Sequence, residues 1–148
     1  MRVAEIMTKN VKMAAPNDTI REIAKRMAAE DIGFLPVGDH DKLVGTITDR
    51  DIVTRGVAAG RDGKSTVRDL MSTDVKYCFD DEDVDHVMRN LGDLQVRRLP
   101  VVNREKRLVG VVSLADGALK AEPEQAGQGL CGIVSPGRAH SQSRGSRH

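Results

Sequence analysis

The sequence contains an internal duplication, which limits the chain to folds that two copies of one unit can build. Displacing the sequence by 64 residues aligns apolar and turn positions of the two halves: Val3 with Val67, Met7 with Met71, Ile20 with Val84, Ile32 with Val96, and Leu-Pro-Val at 35–37 with the same tripeptide at 99–101. After one inserted residue the displacement is 65, and the alignment continues to Asp51 and Asp116. Chance does not keep such register over about 50 residues.

Each copy predicts the same order of elements. A short apolar stretch indicates a strand, and apolar residues such as Ile20, Ile23 and Met27 then recur with helical spacing. A Leu-Pro-Val strand and a Leu-Val-Gly strand flank a polar turn, which predicts a hairpin, and a second helix begins at the following Asp. The predicted fold class is therefore α/β (α+β), with two β-α-β-β-α repeats. One repeat is too small to bury its own faces, so we expect the two to pack with pseudo-two-fold symmetry.

The duplication also sets the predicted domain boundaries. The first repeat spans 1–60 and the second spans 61–120, and the sequence from 121 to 148 is rich in Gly, Ser, Gln and Arg. That composition predicts a flexible C-terminal tail. The apolar stretch Leu-Cys-Gly-Ile-Val at 130–134 offers an alternative, in which this part docks on the body or on a partner chain.

Composition excludes several classes of function. The 148 residues include 23 basic and 22 acidic side chains, one Tyr, two Phe and no Trp. The chain therefore lacks the basic field and the stacking surfaces of a protein that binds nucleic acid. Cys78 and Cys131 lie in unrelated contexts, which predicts reduced thiols in a cytoplasmic protein. No apolar stretch is long enough to span a membrane, so no membrane partner is expected.

The candidate chemistry lies in a Gly-x-x-Thr/Ser-x-x-Asp pattern that both copies contain. Thr48 and Ser113 are placed at strand ends, with Asp51 and Asp116 three residues later in the first turn of a helix. A hydroxyl beside free backbone N–H groups suits a phosphate, and a carboxylate suits the paired hydroxyls of a ribose. The same spacing is also a helix-capping arrangement. One copy alone favours the cap, two copies favour a binding site, and the two roles are compatible.

Together these motifs resemble a tandem CBS-domain pair, or Bateman module, of the kind found in stand-alone bacterial two-CBS proteins. The stretches that carry the resemblance include Leu-Val-Gly-Thr-Ile-Thr-Asp-Arg-Asp at 43–51 and Leu-Val-Gly-Val-Val-Ser-Leu-Ala-Asp at 108–116. The resemblance implies an adenosyl ligand, either AMP, ADP, ATP or S-adenosylmethionine, in two clefts between the repeats, and a disc-shaped homodimer. It implies a non-enzymatic regulatory module without a catalytic cofactor. Because the chain contains no catalytic domain, its effector must be another protein, whose identity is unknown.

The resemblance also assigns residues to the two clefts, each of which draws on both repeats. In the first cleft Asp51 would hold the ribose, and the full set is Thr48, Asp51, Val75, Lys76, Val96 and Arg98. In the second cleft Asp116 would hold the ribose, and the full set is Thr8, Val11, Lys12, Ile32, Ser113 and Asp116. The hydroxyls would lie near phosphate, and the base would lie among aliphatic side chains.

The two predicted sites are not equivalent. Arg97 and Arg98 stand where the first repeat has Gly33 and Phe34. A guanidinium there can bind phosphate through two hydrogen bonds, which favours a polyanionic nucleotide at the Asp51 site. An equally weighted alternative places both arginines on a solvated strand end, paired with the acidic segment 80–85. The Asp116 site lacks the flanking charges, which predicts a weaker or empty site.

Two other functions compete with the regulatory reading. A structural or dimerisation module with vestigial nucleotide clefts is supported by the reduced Ser-Leu-Ala-Asp copy. A metal-dependent enzyme, such as a phosphohydrolase, is the third hypothesis, based on the acid-rich segments, which include Asp49 and Asp51 as well as residues 80–85. The segment 80–85 is the one that suggests a metal site. That segment precedes a predicted helix, where carboxylates complement the helix dipole, and the four histidines share no ligand spacing. We therefore predict neither a metal site nor catalytic residues.

Overall fold

The computed structural model describes residues 1–121 and 123–136. Within them the chain divides into two compact units. The first unit is Lys12–Val75, and the second unit consists of Met1–Val11 together with the chain from Lys76 onward. Each unit contains one hairpin and one helix of eleven residues from the duplicated pattern.

The elements follow the predicted order in both repeats. The strands are β1 (Thr8–Lys9), β2 (Phe34–Asp39), β3 (Lys42–Thr48), β4 (Cys78–Phe79), β5 (Arg98–Val102) and β6 (Leu108–Ser113). The helices are α1 (Ile20–Glu30), α2 (Asp49–Asp51), which continues as a π-helical segment over Ile52–Val57, α3 (Val67–Leu70), α4 (Val84–Leu94), α5 (Leu114–Lys120) and α6 (Pro123–Val134). Within the described ranges, every helix is too short or too polar to cross a membrane.

The bounds of the units differ from the predicted repeats, 1–60 and 61–120. Each unit takes in the segment that precedes the other repeat in the chain. The two repeats thus exchange their leading segments, and burial explains this exchange. Val3 and Ile6 lie in the core of the second unit, and Leu70 lies in the core of the first. The sequence repeat is therefore offset from the structural unit.

The first unit is built on the hairpin of β2 and β3. The strands are antiparallel, with Phe34 opposite Thr48 and Val37 opposite Gly45. Helix α1 begins at a capping box in which Thr19 and Glu22 exchange hydrogen bonds. Its apolar face packs into an aliphatic core formed by Ala14, Ile20, Ile23, Met27, Leu35, Val37, Ile47, Val67 and Leu70. The predicted helix and hairpin of the first repeat are confirmed.

The second unit contains a four-stranded sheet in the order β1-β6-β5-β4. Strand β6 is antiparallel to both neighbours, and β4 pairs parallel to β5. Helix α4 buries the predicted apolar positions of the second repeat in a core formed by Val3, Ile6, Cys78, Val84, Val87, Met88, Leu91, Leu99, Val101, Val112 and Ala126. The predicted mixed α/β fold, with a helix and a hairpin in each repeat, is therefore confirmed.

The predicted flexible tail is wrong for its first part. Residues Pro123–Val134 form helix α6, which packs on α4 and α5 in the second unit. The docking alternative was closer, although the side chains of Leu130 and Val134 point outward and are 45% and 61% exposed. Glu122 and residues 137–148 lie outside the described residues.

Small residues explain why this glycine-rich segment is helical. A Cβ atom on Gly132 would lie 2.7 Å from the Cα atom of Gly92 on α4, and one on Gly129 would lie 2.8 Å from the carbonyl oxygen of Met88. The two helix backbones therefore meet at a distance that only glycine permits. Packing against α4 overrides the weak helix propensity of the segment.

Two alanine substitutions on the same helix test this contact. We expect Gly132→Ala to lower the free energy of unfolding by about 1–3 kcal/mol, because the methyl group overlaps the α4 backbone. Gly127→Ala is the matched control, since a Cβ there meets nothing within 4 Å, and it should raise the free energy of unfolding by about 0.5–1 kcal/mol. Urea denaturation measures both values. Equal effects of the two substitutions would contradict the close packing.

Candidate functional site

The duplicated hydroxyl–carboxylate pairs form the same local structure in both units. The backbone N–H of Thr48 donates to Oδ2 of Asp51 at 2.9 Å, and the N–H of Asp51 donates to Oγ1 of Thr48 at 3.0 Å. The corresponding distances between Ser113 and Asp116 are 2.9 and 3.1 Å. Each pair is a capping box at the junction of a strand and a helix. The capping role inferred from the sequence is confirmed twice.

These carboxylates are withdrawn from water. Asp51 is 4% exposed and Thr48 is 5% exposed, and the two are the buried polar residues of the described chain. The side chain of Asp116 is 14% exposed. Burial of a carboxylate costs free energy unless hydrogen bonds and a cation compensate for the lost hydration. The capping hydrogen bonds supply the first part of that compensation.

A basic side chain four residues later supplies the second part. Nε of Arg55 lies 3.8 Å from Oδ1 of Asp51, and Nζ of Lys120 lies 3.5 Å from Oδ1 of Asp116. Both cations also donate a hydrogen bond to a backbone carbonyl of their own unit. Neither Arg55 nor Lys120 is among the predicted site residues. The signal was present, because a basic residue follows each Asp at the same spacing.

The glycine of each motif allows a close approach of the backbone. A Cβ on Gly45 would lie 2.8 Å from the carbonyl oxygen of Ser72, and one on Gly110 would lie 2.6 Å from that of Thr8. Thr46 exchanges backbone hydrogen bonds with Ser72 at 2.8 and 3.0 Å. These glycines therefore admit another backbone segment against the strand.

Each predicted ligand set is divided between the two units. The first unit holds Lys12, Ile32, Thr48, Asp51 and Val75. The second unit holds Thr8, Val11, Lys76, Val96, Arg98, Ser113 and Asp116. Within its own unit, the structure brings Thr48 into contact with Asp51 and Ser113 into contact with Asp116.

Strand pairing brings two further predicted residues to the end of β6. Arg98 lies opposite Ser113 across the β5–β6 pair, and Thr8 lies opposite Val111 across the β1–β6 pair. Arg98 and Ser113 are predicted to belong to different clefts. The structure places them side by side in the second unit, where Arg98 is exposed.

A cavity of about 370 Å³ lies beside the same strand. It is lined by Met7, Lys9, Asn10, Val11, Leu108, Val109 and Gly110, all of the second unit. Val11 is the predicted ligand residue among them. The walls are mainly aliphatic, with a lysine and an asparagine as polar groups, so the cavity suits an apolar group better than a metal ion.

The acidic segment 80–85 is paired with a different arginine from the expected ones. Nε and Nη2 of Arg104 donate to the two carboxylate oxygens of Asp81 at 2.8 and 2.7 Å, and this hydrogen bonding holds the pKa of Asp81 below its usual value. Arg97 and Arg98 form no ion pair with this segment in the described part of the chain. The described residues also contain no group of three or more His, Cys, Asp or Glu side chains arranged to bind a metal.

The two thiols occupy opposite environments. Cys78 is buried, and burial together with the negative charges of Glu82 and Asp80 raises its thiol pKa to about 12. Cys131 is exposed on α6. Since only the thiolate attacks disulfide reagents, the two residues should differ strongly in reactivity.

A thiol titration tests this difference. We expect the native protein at pH 8 to release one fast equivalent of chromophore from a disulfide reagent, and a second equivalent only after unfolding in guanidinium. Cys131→Ser should remove the fast phase, because the remaining thiol stays protonated far below its raised pKa. Two equally fast thiols in the native protein would contradict the burial of Cys78.

Comparison with known proteins decides the family. The CBS domain profile matches twice, over residues 3–57 and 67–116, which together make up more than half of the chain. The chain belongs to the CBS-domain family. The predicted tandem CBS pair is thus confirmed, and both matches end at or beyond the capping Asp of their repeat.

Relatives include proteins of similar length. The CBS domain-containing protein YhcV of Bacillus subtilis is 37% identical over 132 residues, which cover 88% of this chain and 94% of YhcV. The crystal structure of Hypoxic Response Protein I with two coordinated zinc ions superimposes with a TM-score of 0.74 at 36% identity, covering 81% of this chain and 98% of that one. The chain is therefore similar, over most of its length, to CBS proteins of about the same size.

Another solved structure contains adenosyl ligands. The CBS domain pair of MJ0100, in complex with 5-methylthioadenosine and S-adenosyl-L-methionine, superimposes with a TM-score of 0.69 at 35% identity, covering 78% of this chain and 91% of that one. CBS pairs also occur inside enzymes. The chain is 37% identical to part of an inosine-5'-monophosphate dehydrogenase of Methanocaldococcus jannaschii, of which it spans 22%.

Proposed function

We propose that this CBS pair is a non-enzymatic regulatory module that binds an adenosyl ligand and reports its occupancy to a partner protein. The observation that carries the proposal is the pair of a hydroxyl and a carboxylate that recurs with the same geometry in both repeats, buried in the first and partly buried in the second. The candidate ligands are AMP, ADP and ATP, with S-adenosylmethionine as a further candidate. The adenosyl ligands of the MJ0100 pair support this class of ligand.

The chemistry of the pair suits a ribose. A carboxylate only accepts hydrogen bonds, and a ribose offers two neighbouring hydroxyl donors. In each repeat one oxygen, Oδ2, already accepts a backbone N–H, so the orientation of the carboxylate is fixed before a ligand arrives. Two such acceptors, Asp51 and Asp116, give the proposed module one ribose contact per repeat. Thr48 and Ser113 would lie near phosphate.

The base would lie among aliphatic side chains. The proposed sets include Val75 and Val96 for the Asp51 site, and Val11 and Ile32 for the Asp116 site. The cavity that Val11 lines supplies apolar walls in the second unit. Dispersion contacts with such walls replace the aromatic stacking that a chain with two Phe and one Tyr cannot offer.

The proposed sites differ in charge. Lys76 and Arg98 belong to the set of Asp51, and Thr8 and Lys12 belong to the set of Asp116. The exposed guanidinium of Arg98 is the group suited to bidentate binding of phosphate, so the Asp51 set is proposed for the more highly charged nucleotide. The acidic segment 80–85 is the alternative partner for Arg98. Because Arg104 already pairs with Asp81 of that segment, the structure supports the phosphate role for Arg98 instead.

A structural module with vestigial clefts is the second candidate. The observation in its favour is that both capping boxes are complete without a ligand, so every hydroxyl and carboxylate of the motif already stabilises a helix start. On that account the aspartates are retained for folding alone. The two functions differ in whether replacing the carboxylate affects ligand binding or only stability.

Calorimetric titration with AMP, ATP and S-adenosylmethionine separates them. We expect saturable binding of at least one ligand, and loss of one site each in Asp51→Asn and Asp116→Asn. Asparagine keeps the acceptor of the cap but replaces the other oxygen with a donor, so the ribose hydroxyls lose the negatively charged acceptor that the carboxylate offers. Bound ligand should also raise the melting temperature, by the equivalent of about 2.7 kcal/mol at 100 times Kd.

Two outcomes would contradict the regulatory proposal. The first is the absence of saturable heat for all three ligands at millimolar concentration. The second is unchanged binding in both asparagine variants, which would leave the aspartates as caps. Ser113→Ala is a stability reference, since loss of a capping hydroxyl lowers the free energy of unfolding by about 1 kcal/mol.

The proposal includes a homodimer, an effector protein and a cytoplasmic location, where thiols such as Cys78 and Cys131 stay reduced. Native mass spectrometry of the purified protein reads the assembly and any retained nucleotide in one spectrum. We expect a mass of twice 16.1 kDa plus bound nucleotide. A ligand-free monomer at micromolar concentration would contradict both the homodimer and the retained nucleotide.

A further inference from the structure

We propose that Arg55 and Lys120 are positioning residues for the two ligand-binding aspartates. Each cation contacts the carboxylate of its own repeat and also a backbone carbonyl of a second segment in the same unit. That carbonyl belongs to Leu70 for Arg55 and to Ile6 for Lys120. The inference rests on the proposed function, because it concerns the same aspartates. We name these two contacts of each cation, one with the carboxylate and one with the carbonyl oxygen, the carboxylate clamp.

The clamp of the second unit consists of Lys120, Asp116 and Ile6. Nζ of Lys120 lies 3.5 Å from Oδ1 of Asp116 and donates to the carbonyl oxygen of Ile6 at 3.1 Å. Ile6 is buried, and it comes two residues before Thr8 of β1. The clamp thereby connects helix α5 to the N-terminal segment that carries Thr8 and Val11, two residues of the same proposed ligand set.

The clamp of the first unit has the same design with a different cation. Nε of Arg55 lies 3.8 Å from Oδ1 of Asp51, and Nη1 donates to the carbonyl oxygens of Leu70 and Met71 at 3.2 and 3.5 Å. Leu70 is buried at the end of α3. The segment that follows α3 carries Val75, a residue of the proposed set of Asp51.

The two clamps are related by the duplication. The cation is the fourth residue after the Asp in both copies, and the carbonyls that it contacts, those of Ile6 and Leu70, are also equivalent by the displacement of 64 residues. The helices that carry the cations differ, since α5 is α-helical and the segment after α2 is π-helical. The contact is thus formed in both repeats by different side chains on differently wound helices.

The clamp adds a second constraint to the carboxylate orientation that the capping hydrogen bond sets. Oδ2 of each Asp accepts the backbone N–H of the capping residue, and Oδ1 faces the cation. The hydrogen bond at Oδ2 and the positive charge beside Oδ1 together restrict rotation about the last side-chain bond. A ligand hydroxyl then meets an acceptor that is already oriented, which lowers the ordering cost of binding.

The clamp contributes to stability as well as to orientation. The side chains of Arg55 and Lys120 are 37% and 49% exposed, but those of Asp51 and Asp116 are only 6% and 14% exposed. Substitution of either cation should therefore lower the ligand-free free energy of unfolding, because a poorly hydrated carboxylate loses its counter-charge, and still leave a folded protein in which the capping hydrogen bonds remain. Urea denaturation without ligand measures that loss, and calorimetry on the folded variant measures the effect on ligand binding.

The test isolates one site and changes its cation. In an Asp51→Asn background, which leaves the Asp116 site, we expect Lys120→Met to weaken AMP binding about tenfold in calorimetry, the effect of losing one oriented charge-assisted contact. Lys120→Arg should restore the affinity to within about twofold, since arginine forms the equivalent clamp in the other repeat. Lys25→Met, on the exposed face of α1, is the control for the same change in net charge.

A modified ligand distinguishes positioning from general damage. The loss caused by Lys120→Met should be smaller for 2'-deoxy-AMP than for AMP, because the clamp acts through the hydroxyl that the carboxylate binds. The mirror experiment uses Arg55→Met and Arg55→Lys in an Asp116→Asn background. A merely structural cation would weaken both ligands equally.

The outcomes separate the clamp from the function on which it rests. If the parent and both asparagine backgrounds fail to bind any adenosyl ligand, the proposed function fails and the clamp fails with it. If the parent binds and Lys120→Met binds equally well, only the clamp is overturned. Failure of Lys120→Arg to restore binding, or an equal loss with Lys25→Met, also overturns it.

Discussion

The reciprocal hydrogen bonds between the hydroxyl at the end of a strand and the carboxylate three residues later determine the local structure on which both repeats depend. They turn the chain from strand to helix at Thr48 and at Ser113. They also place a carboxylate in a buried position, where it needs a cation. Arg55 and Lys120 meet that need, and through their carbonyl contacts they connect each turn to the segment that completes the same unit.

The strand–helix junction of each repeat also lies next to a segment that the other repeat contributes. The second unit is completed by the N-terminal residues, and the first unit is completed by the residues before the second repeat. Gly45 and Gly110 admit the exchanged segments against the strand that leads to each Asp. One short motif therefore supports three contacts at once: the helix cap, the approach of the exchanged segment and the clamp.

Much of this could be predicted from the sequence, because the duplication tests each pattern against a second copy. The helices at Ile20 and Val84, the two hairpins and the hydroxyl–carboxylate pairs all follow from residue spacing. Helix α6 could not be predicted in this way, since its composition is typical of a flexible segment and its stability comes from the glycine contact with α4. The carbonyl contacts of Arg55 and Lys120 also depend on residues that are distant in sequence.

The central claim is that the repeated carboxylates hold the ribose of an adenosyl ligand. A crystal structure of the protein grown with AMP measures this directly. The account predicts ribose hydroxyls within hydrogen-bonding distance of the carboxylate of Asp51 or Asp116, with the cation of that repeat still beside the same carboxylate. Nucleotide bound elsewhere, or ribose turned away from both carboxylates, would contradict it.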